Sequence, residues 1–145
     1  MSLFWKIYEK IFIFVLLCSI MKALIFVYNV DSGVISSIKR VVYSSNFNDC
    51  KLYSVIRGKL FVKRVWKNFL NNLSYQKIHF YRHQFRQAHP EYTYLELPSI
   101  LLKDDLGLTV LIEAREIREL EDTDDCIGLL GQKLAFVTTT SSNID

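Results

Sequence analysis

The 145-residue chain has few of the residues that cross-link small proteins or break their secondary structure: three cysteines, two prolines and five glycines. Three widely spaced cysteines do not form a disulfide scaffold, and the chain has no Cys-x-x-Cys pair that would indicate a structural zinc site. A reducing compartment such as the cytoplasm fits this cysteine usage best. Half of the residues are apolar and 14% are aromatic, enough for one globular domain with a real core.

Sequence signatures of several enzyme classes are also missing. The chain has no GxxxxGK[ST] phosphate loop, so it lacks the chemistry of a P-loop NTPase, and no nucleophile elbow surrounds a serine. The acidic run Asp122, Asp124 and Asp125 lacks the glycine and the distal glutamate of a calcium loop, and a helix cap at Asp122 or Thr123 explains it better. No cofactor is predicted.

Three histidines, His79, His83 and His89, lie close together, but no cysteine or carboxylate falls between them and their predicted positions share no face. No metal site is predicted. Basic and aromatic residues from Tyr75 to Arg86 have the composition of a surface that contacts phosphates and stacks on bases. A solvated basic face with aromatic core positions is the favoured interpretation of this segment.

Charge divides the chain sharply, although the overall formal charge is only +3. Residues 51–90 carry nine Lys or Arg and no acidic residue, whereas residues 91–145 carry four Lys or Arg against twelve Asp or Glu. This division is compatible with an acidic protein or nucleic acid as partner. The favoured interpretation is two halves of one fold that screen each other or pair in a homo-oligomer.

Residues 1–20 form an apolar extension in which Lys6 and Lys10 precede the apolar run 11–20. This order is similar to the start of an export or anchor signal, but no small-residue cleavage site follows and ten residues cannot span a bilayer as a helix. The alternative is an extraneous or regulatory segment before a working domain that begins at Met21. Membrane association is expected only if residues 1–20 are retained as an anchor.

The first half of the domain is predicted to contain a strand, a turn and a helix, in that order. Residues 23–28 are continuously apolar, as in a strand buried on both faces. Asn29–Gly33 predicts a turn, in which Asp31 or Ser32 caps a helix. The apolar face of that helix is predicted to hold Ile35, Ile38, Val41 and Val42. A loop over 44–49 then leads to Cys50, at the head of a short segment that ends near Gly58.

The second half begins with the clearest helix, at about 60–73. Its predicted core face consists of Val62, Val65, Trp66, Phe69, Leu70 and Leu73. A strand over 77–81, a helical turn over 84–88 and a break at His89–Pro90 follow. The segments 99–103 and 108–112 predict a β-hairpin. A helical region from 114 to about 135 closes the domain, and residues 138–145 are predicted to be a loose tail.

This order of elements predicts an α/β fold of the thioredoxin-like type for residues 21–137. The arrangement consists of three α/β/α layers around a mixed sheet of about four strands. The segment Leu97-Pro98-Ser99 enters the hairpin and resembles the strand of the thioredoxin fold that begins with a cis-proline beside the active-site loop.

A narrower resemblance covers about residues 21–135. The stretches Tyr28–Gly33, Asp49–Tyr53, Trp66–Phe69 and Glu96–Pro98 are similar to a bacterial family of small thioredoxin-like proteins. In that family the second stretch carries a Cys-x-x-Cys pair. Here Cys50 matches the first cysteine and Tyr53 replaces the second, so the thiol that would resolve a mixed disulfide is absent.

The resemblance implies a single-thiol site for exchange with a protein thiol or disulfide, or a degenerate copy of such a site. Cys50 is the candidate nucleophile, Lys51 its electrostatic support, and Pro98 the loop that holds an extended substrate. A helix N-terminus and cations such as Lys51 and Arg57 are expected to lower the pKa of Cys50. Cys126 is expected to be a core residue. The alternative function is a non-enzymatic module that binds an acidic protein or nucleic acid through residues 51–90.

Overall fold

The structure is a computed structural model that describes residues 2–20, 22–31, 50–57 and 62–142. The described helices are α1 Ser2–Ile20, α2 Lys51–Ile56, α3 Arg64–Asn71, α4 Arg82–Ala88, α5 Ala114–Arg118 and α6 Thr123–Ser142. A 3-10 helix spans Pro90–Tyr92. The strands are β1 Ala23–Tyr28, β2 Gln76–Tyr81, β3 Ser99–Asp104 and β4 Gly107–Ile112.

The four strands form one mixed sheet in the order β2-β1-β3-β4. Strand β1 runs parallel to β2 and antiparallel to β3, which in turn pairs antiparallel with β4. All six residues of β1 are buried, so its continuous apolar run was a correct indication of a strand covered on both faces. The α/β class is confirmed, with a mixed sheet of four strands.

Helices cover both faces of this sheet. Side chains alternate along β1, so Leu24, Phe26 and Tyr28 belong to a core that includes residues of α2, α3, α5 and α6. On the opposite face, Ile25 and Val27 pack in a second core with residues that include Phe85 of α4 and Leu97. Cys50 lies in the first and larger core.

The predicted hairpin is confirmed by strands β3 and β4 and their turn at Asp105–Leu106. The Leu106 N–H donates to the Asp104 carboxylate at 2.8 Å, which closes the turn. Gly107 has a φ of 118°, a conformation that favours glycine because it has no Cβ.

Helix α3 is shorter than the predicted helix over 60–73, since it spans Arg64–Asn71. Residues 58–61 lie outside the described part of the chain. Trp66 and Leu70 are buried as expected, but Val65 is 48% exposed, so its assignment to the core face is wrong. Val65 lies about 100° around the helix from Trp66, and at that angle its side chain lies outside the buried face of α3.

The closing helical region is two helices with a break at 119–122. Asp122 caps α6 by accepting the Asp125 N–H at 2.9 Å, as predicted for this acidic run. The prediction of a loose tail is wrong for residues 138–142, which continue α6 to Ser142. Their hydroxyl groups donate to carbonyls one turn earlier, for example Thr138 to Leu134 at 2.9 Å.

Strand β2 and the break at His89–Pro90 are confirmed, and the predicted helical turn over 84–88 is the helix α4. The predicted helix after Asn29–Gly33 and the loop over 44–49 lie outside the described residues. Most of residues 1–20 belong to the helix α1. Among the described residues, no helix has the length and apolar character needed to cross a bilayer.

Candidate functional site

Cys50 lies at the carboxyl end of the central strand β1, immediately before α2. Its Sγ accepts a hydrogen bond from the backbone N–H of Asn29, the residue after β1, at 3.3 Å. The side chain has no exposed surface. The thiol is therefore a buried group that joins the end of β1 to the start of α2.

The pKa of Cys50 is raised, in contrast to the lowering expected from a helix N-terminus and neighbouring cations. Burial is the largest cause, because an apolar surrounding disfavours the thiolate. The backbone N–H groups of Asn29 and Leu52 act in the opposite direction and do not outweigh it. Cys50 thus lacks the electropositive, partly exposed surroundings that activate a thiol.

Pro98 lies across the sheet from the same end of β1. The Leu97–Pro98 peptide bond is cis, and β3 begins at the next residue, Ser99. Because Ser99 pairs with Val27 in the antiparallel register, Pro98 comes opposite Tyr28, one residue before the Asn29 amide that binds Cys50. The structure therefore brings Cys50 and Pro98 to the same end of the sheet. Pro98 is buried.

The two cations that were expected to support Cys50 have other surroundings. Arg57 lies over the ring of Tyr53, with its guanidinium carbon 4.7 Å from the ring centroid. Lys51 is half-buried, and its backbone carbonyl accepts the hydroxyl of Ser54 at 2.7 Å. Neither cation is among the causes of the shift in the pKa of Cys50.

A tyrosine–histidine pair borders this site and was not found from the sequence. The Tyr28 hydroxyl and Nδ1 of His79 are 2.8 Å apart. Burial raises the pKa of Tyr28, with Cys50 as the next cause, and burial lowers the pKa of His79. Both shifts favour the neutral side chains, in which the Tyr28 hydroxyl donates a hydrogen bond to Nδ1 of His79. His79 also stacks on Phe26, with the ring centroids 5.0 Å apart.

Tyr53, three residues after Cys50, packs edge-on against Tyr28. The ring centroids are 5.8 Å apart and the interplanar angle is 86°. An aromatic side chain thus occupies the side of the site where the resemblance implies a resolving thiol.

The turn after β1 is held by Arg82, the first residue of α4. Its guanidinium donates to both carboxylate oxygens of Asp31, at 2.7 and 3.3 Å, and to the side-chain oxygen of Asn29 at 3.2 Å. The hydrogen bond from Arg82 is the largest cause that lowers the pKa of Asp31. Arg82 therefore positions the turn whose amide binds Cys50, and its charge is already paired.

The three histidines have separate surroundings. His79 pairs with Tyr28, His83 lies 3.5 Å from the carboxylate of Asp31, and His89 lies 3.5 Å from that of Glu91. Within the described ranges, no group of three or more His, Cys, Asp or Glu side chains is arranged to hold a metal ion.

Cys126 is fully buried in the larger core, as predicted, at the fourth position of α6. Burial raises its pKa to about 12. Three residues before the thiol, Thr123 donates a hydrogen bond from its hydroxyl to the carbonyl of Val55 at 2.6 Å. This buried hydrogen bond ties the helix of Cys126 to the helix that follows Cys50.

No family model matches the chain, and no curated protein or solved structure matches it significantly.

Proposed function

We propose that the chain is a thioredoxin-like protein in which the Cys50 site is a degenerate copy, and that it acts as a non-enzymatic binding module. The observation that carries this proposal is the state of the Cys50 thiol, which has no exposed surface and a raised pKa. Thiol exchange requires an accessible thiolate as the attacking group. Cys50 meets neither requirement.

The thioredoxin-like part of the proposal is supported by the arrangement of the site. A parallel β1–β2 pair is followed by a hairpin and a closing helix, with helices on both faces of the sheet. The cis-proline Pro98 and the first-position cysteine Cys50 lie at the same end of β1. Tyr53 in the second cysteine position supports loss of the exchange reaction.

Reaction of the full chain with glutathione disulfide tests the loss of exchange, with Cys126→Ala to remove the second buried thiol. We expect Cys50 to form the mixed disulfide at least about 100-fold more slowly in the folded protein than in denaturant, since attack requires local opening. Peptide mass spectrometry assigns the modified cysteine. An adduct at Cys50 that forms equally fast in folded protein, and disappears in Cys50→Ser, overturns the proposal in favour of single-thiol exchange.

An acidic protein segment is the partner that the surface of α3 favours. Arg64 and Lys67 are exposed on this helix, and the exposed apolar side chain of Val65 lies between them in sequence. The six ion pairs among the described residues involve other cations. Arg64 and Lys67, three residues apart on one side of the helix, suit an acidic peptide.

Nucleic acid is the less favoured partner for the basic region. Tyr75 and Tyr81 are partly buried against the larger core, and Phe80 is partly buried against the smaller one. Single-stranded nucleic acid binds on exposed aromatic rings, which these residues do not offer. Arg82 of the same segment is paired with Asp31.

Binding of fluorescent poly-glutamate and of a single-stranded oligonucleotide, each measured over a range of salt, separates the two partners. We expect the double variant Arg64→Glu and Lys67→Glu to weaken poly-glutamate binding about tenfold or more. The matched control is Arg86→Glu, an exposed cation on α4 at the opposite face of the sheet, which should have little effect. Stronger binding to the oligonucleotide, or equal loss in the control, contradicts this choice of partner.

A further inference from the structure

The side chains of residues 3–13 in α1 are all exposed. They include large apolar groups, with Phe4 and Trp5 each 75% exposed and Ile11 55% exposed. An exposed apolar surface of this kind marks a contact with a partner or a membrane.

These apolar side chains are not spread evenly around the helix. At about 100° per residue, Phe4, Trp5, Ile7, Tyr8, Ile11 and Phe12 cover an arc of about 160°. Lys6, Glu9 and Lys10 lie on the other side, together with the exposed apolar side chains of Leu3 and Ile13. The first three turns of α1 are therefore amphipathic, with three aromatic types on the apolar side.

We propose that α1 binds the surface of a bilayer that contains anionic lipids, and lies in the plane of that surface. The 160° arc is wider than the narrow stripe that two helices bury against each other in a coiled coil. Trp5 and Tyr8 are residue types that settle at the boundary between acyl chains and headgroups. Lys10 lies about 60° beyond the edge of the apolar arc and Lys6 about 100° beyond it, so the long side chain of Lys10 can reach the phosphates of anionic headgroups.

An orientation in the plane also agrees with the length and polarity of the helix. None of the described helices meets the requirements for crossing a membrane. The first three turns of α1, which have a charged side and an apolar side, satisfy both surroundings when they lie at the interface. This inference does not depend on the function proposed for the Cys50 site.

Vesicle binding by the full chain tests the proposal, with vesicles of phosphatidylcholine alone or mixed with phosphatidylglycerol. We expect the protein to pellet with the mixed vesicles and to shift its tryptophan emission to the blue. Trp66 is only 1% exposed, so the shift reports on Trp5. The shift should disappear in Trp5→Phe while pelleting remains.

Two isoleucines of similar exposure provide a matched pair, since Ile11 lies in the apolar arc and Ile13 on the charged side. We expect Ile11→Glu to reduce pelleting about tenfold and Ile13→Glu to change it by less than about twofold, although both variants add the same charge. Lys6→Glu with Lys10→Glu should reduce the preference for phosphatidylglycerol.

Three outcomes overturn the proposal. One is the absence of pelleting with either vesicle, and another is an equal loss in Ile11→Glu and Ile13→Glu. The third is a dimer in sedimentation without lipid that Ile11→Glu dissociates while vesicle binding is absent, which assigns the apolar arc to a second copy of the chain.

Discussion

Cys50 and Cys126 are both fully buried in the same core, yet their surroundings differ. Cys50 precedes a helix and accepts a backbone N–H, and such hydrogen bonds offset part of the effect of burial on its pKa. Cys126 lies within α6, where burial alone accounts for a pKa of about 12. The comparison teaches that a position at a helix N-terminus does not lower the pKa of a cysteine when the core covers it.

The largest expected effect concerns the rate of thiol alkylation. In folded protein at mildly alkaline pH, we expect iodoacetamide to label both cysteines more than about 100-fold more slowly than in denaturant. Cys50 should react before Cys126, because backbone N–H groups stabilise its thiolate. Peptide mass spectrometry of timed samples measures each site. If Cys126 reacts first, the hydrogen bonds at Cys50 do not distinguish the two thiols.

A smaller effect is expected where the helices of the two cysteines are joined. Thr123→Val removes the hydroxyl that bonds the Val55 carbonyl and leaves that buried acceptor without its donor. We expect a loss of about 1–3 kcal/mol in the free energy of unfolding, measured with urea. The control is Thr139→Val, which removes an exposed hydroxyl bond within α6 and should cost less than about 0.5 kcal/mol. Equal losses argue against the inter-helix bond.

Serine replacements compare the two cysteine sites directly. A serine at position 50 can accept the Asn29 N–H and cap α2, so Cys50→Ser should cost within about 1 kcal/mol. Cys126→Ser places a hydroxyl in an apolar core and should cost about 1–3 kcal/mol. Urea unfolding of both variants, with Cys126→Ala as a control for lost volume, gives the difference. A larger loss in Cys50→Ser contradicts this account.

The smallest effect is a pH dependence at the Tyr28–His79 pair, which adjoins Cys50. Burial holds the pKa of His79 below its usual value of about 6.5, so the unfolded chain takes up a proton before the folded protein does. This contribution to stability is complete above pH ~6.5 and is lost as the pH falls through the lowered folded pKa. The expected loss is within about 0.5 kcal/mol, since water screens the exposed part of His79.

The measurement is the urea midpoint at pH 7.5 and 5.5 for the protein and for His79→Gln, in which the loss should be smaller. The Asp31–Arg82 pair does not interfere, because the pKa of Asp31 is lowered and its contribution is lost only as the pH falls below about 4. An unchanged pH dependence in His79→Gln assigns the effect to other groups.

Much of the fold could be predicted from local patterns. Three features were predicted from a few neighbouring residues each: the apolar run of β1, the Asp-Asp-Leu-Gly turn of the hairpin and the break at His89–Pro90. Their secondary structure depends mainly on the backbone preferences of those residues, so the sequence was sufficient. The position of Cys50 at the head of a short segment and at a helix N-terminus was also predicted correctly. The length of α3 and the exposure of Val65 were not.

The sequence by itself determined the positions of the four strands, the place of the hairpin turn, and the position of Cys50 before a short helix. Only the tertiary structure decided the surroundings of that thiol, because the direction in which the pKa of Cys50 shifts depends on the core that covers it. The Tyr28–His79 pair also depends on the tertiary structure, since the register of β1 and β2 brings together two residues that are 51 positions apart in the chain. Local propensity acts between neighbours in the chain, whereas burial and pairing depend on groups that only folding brings together.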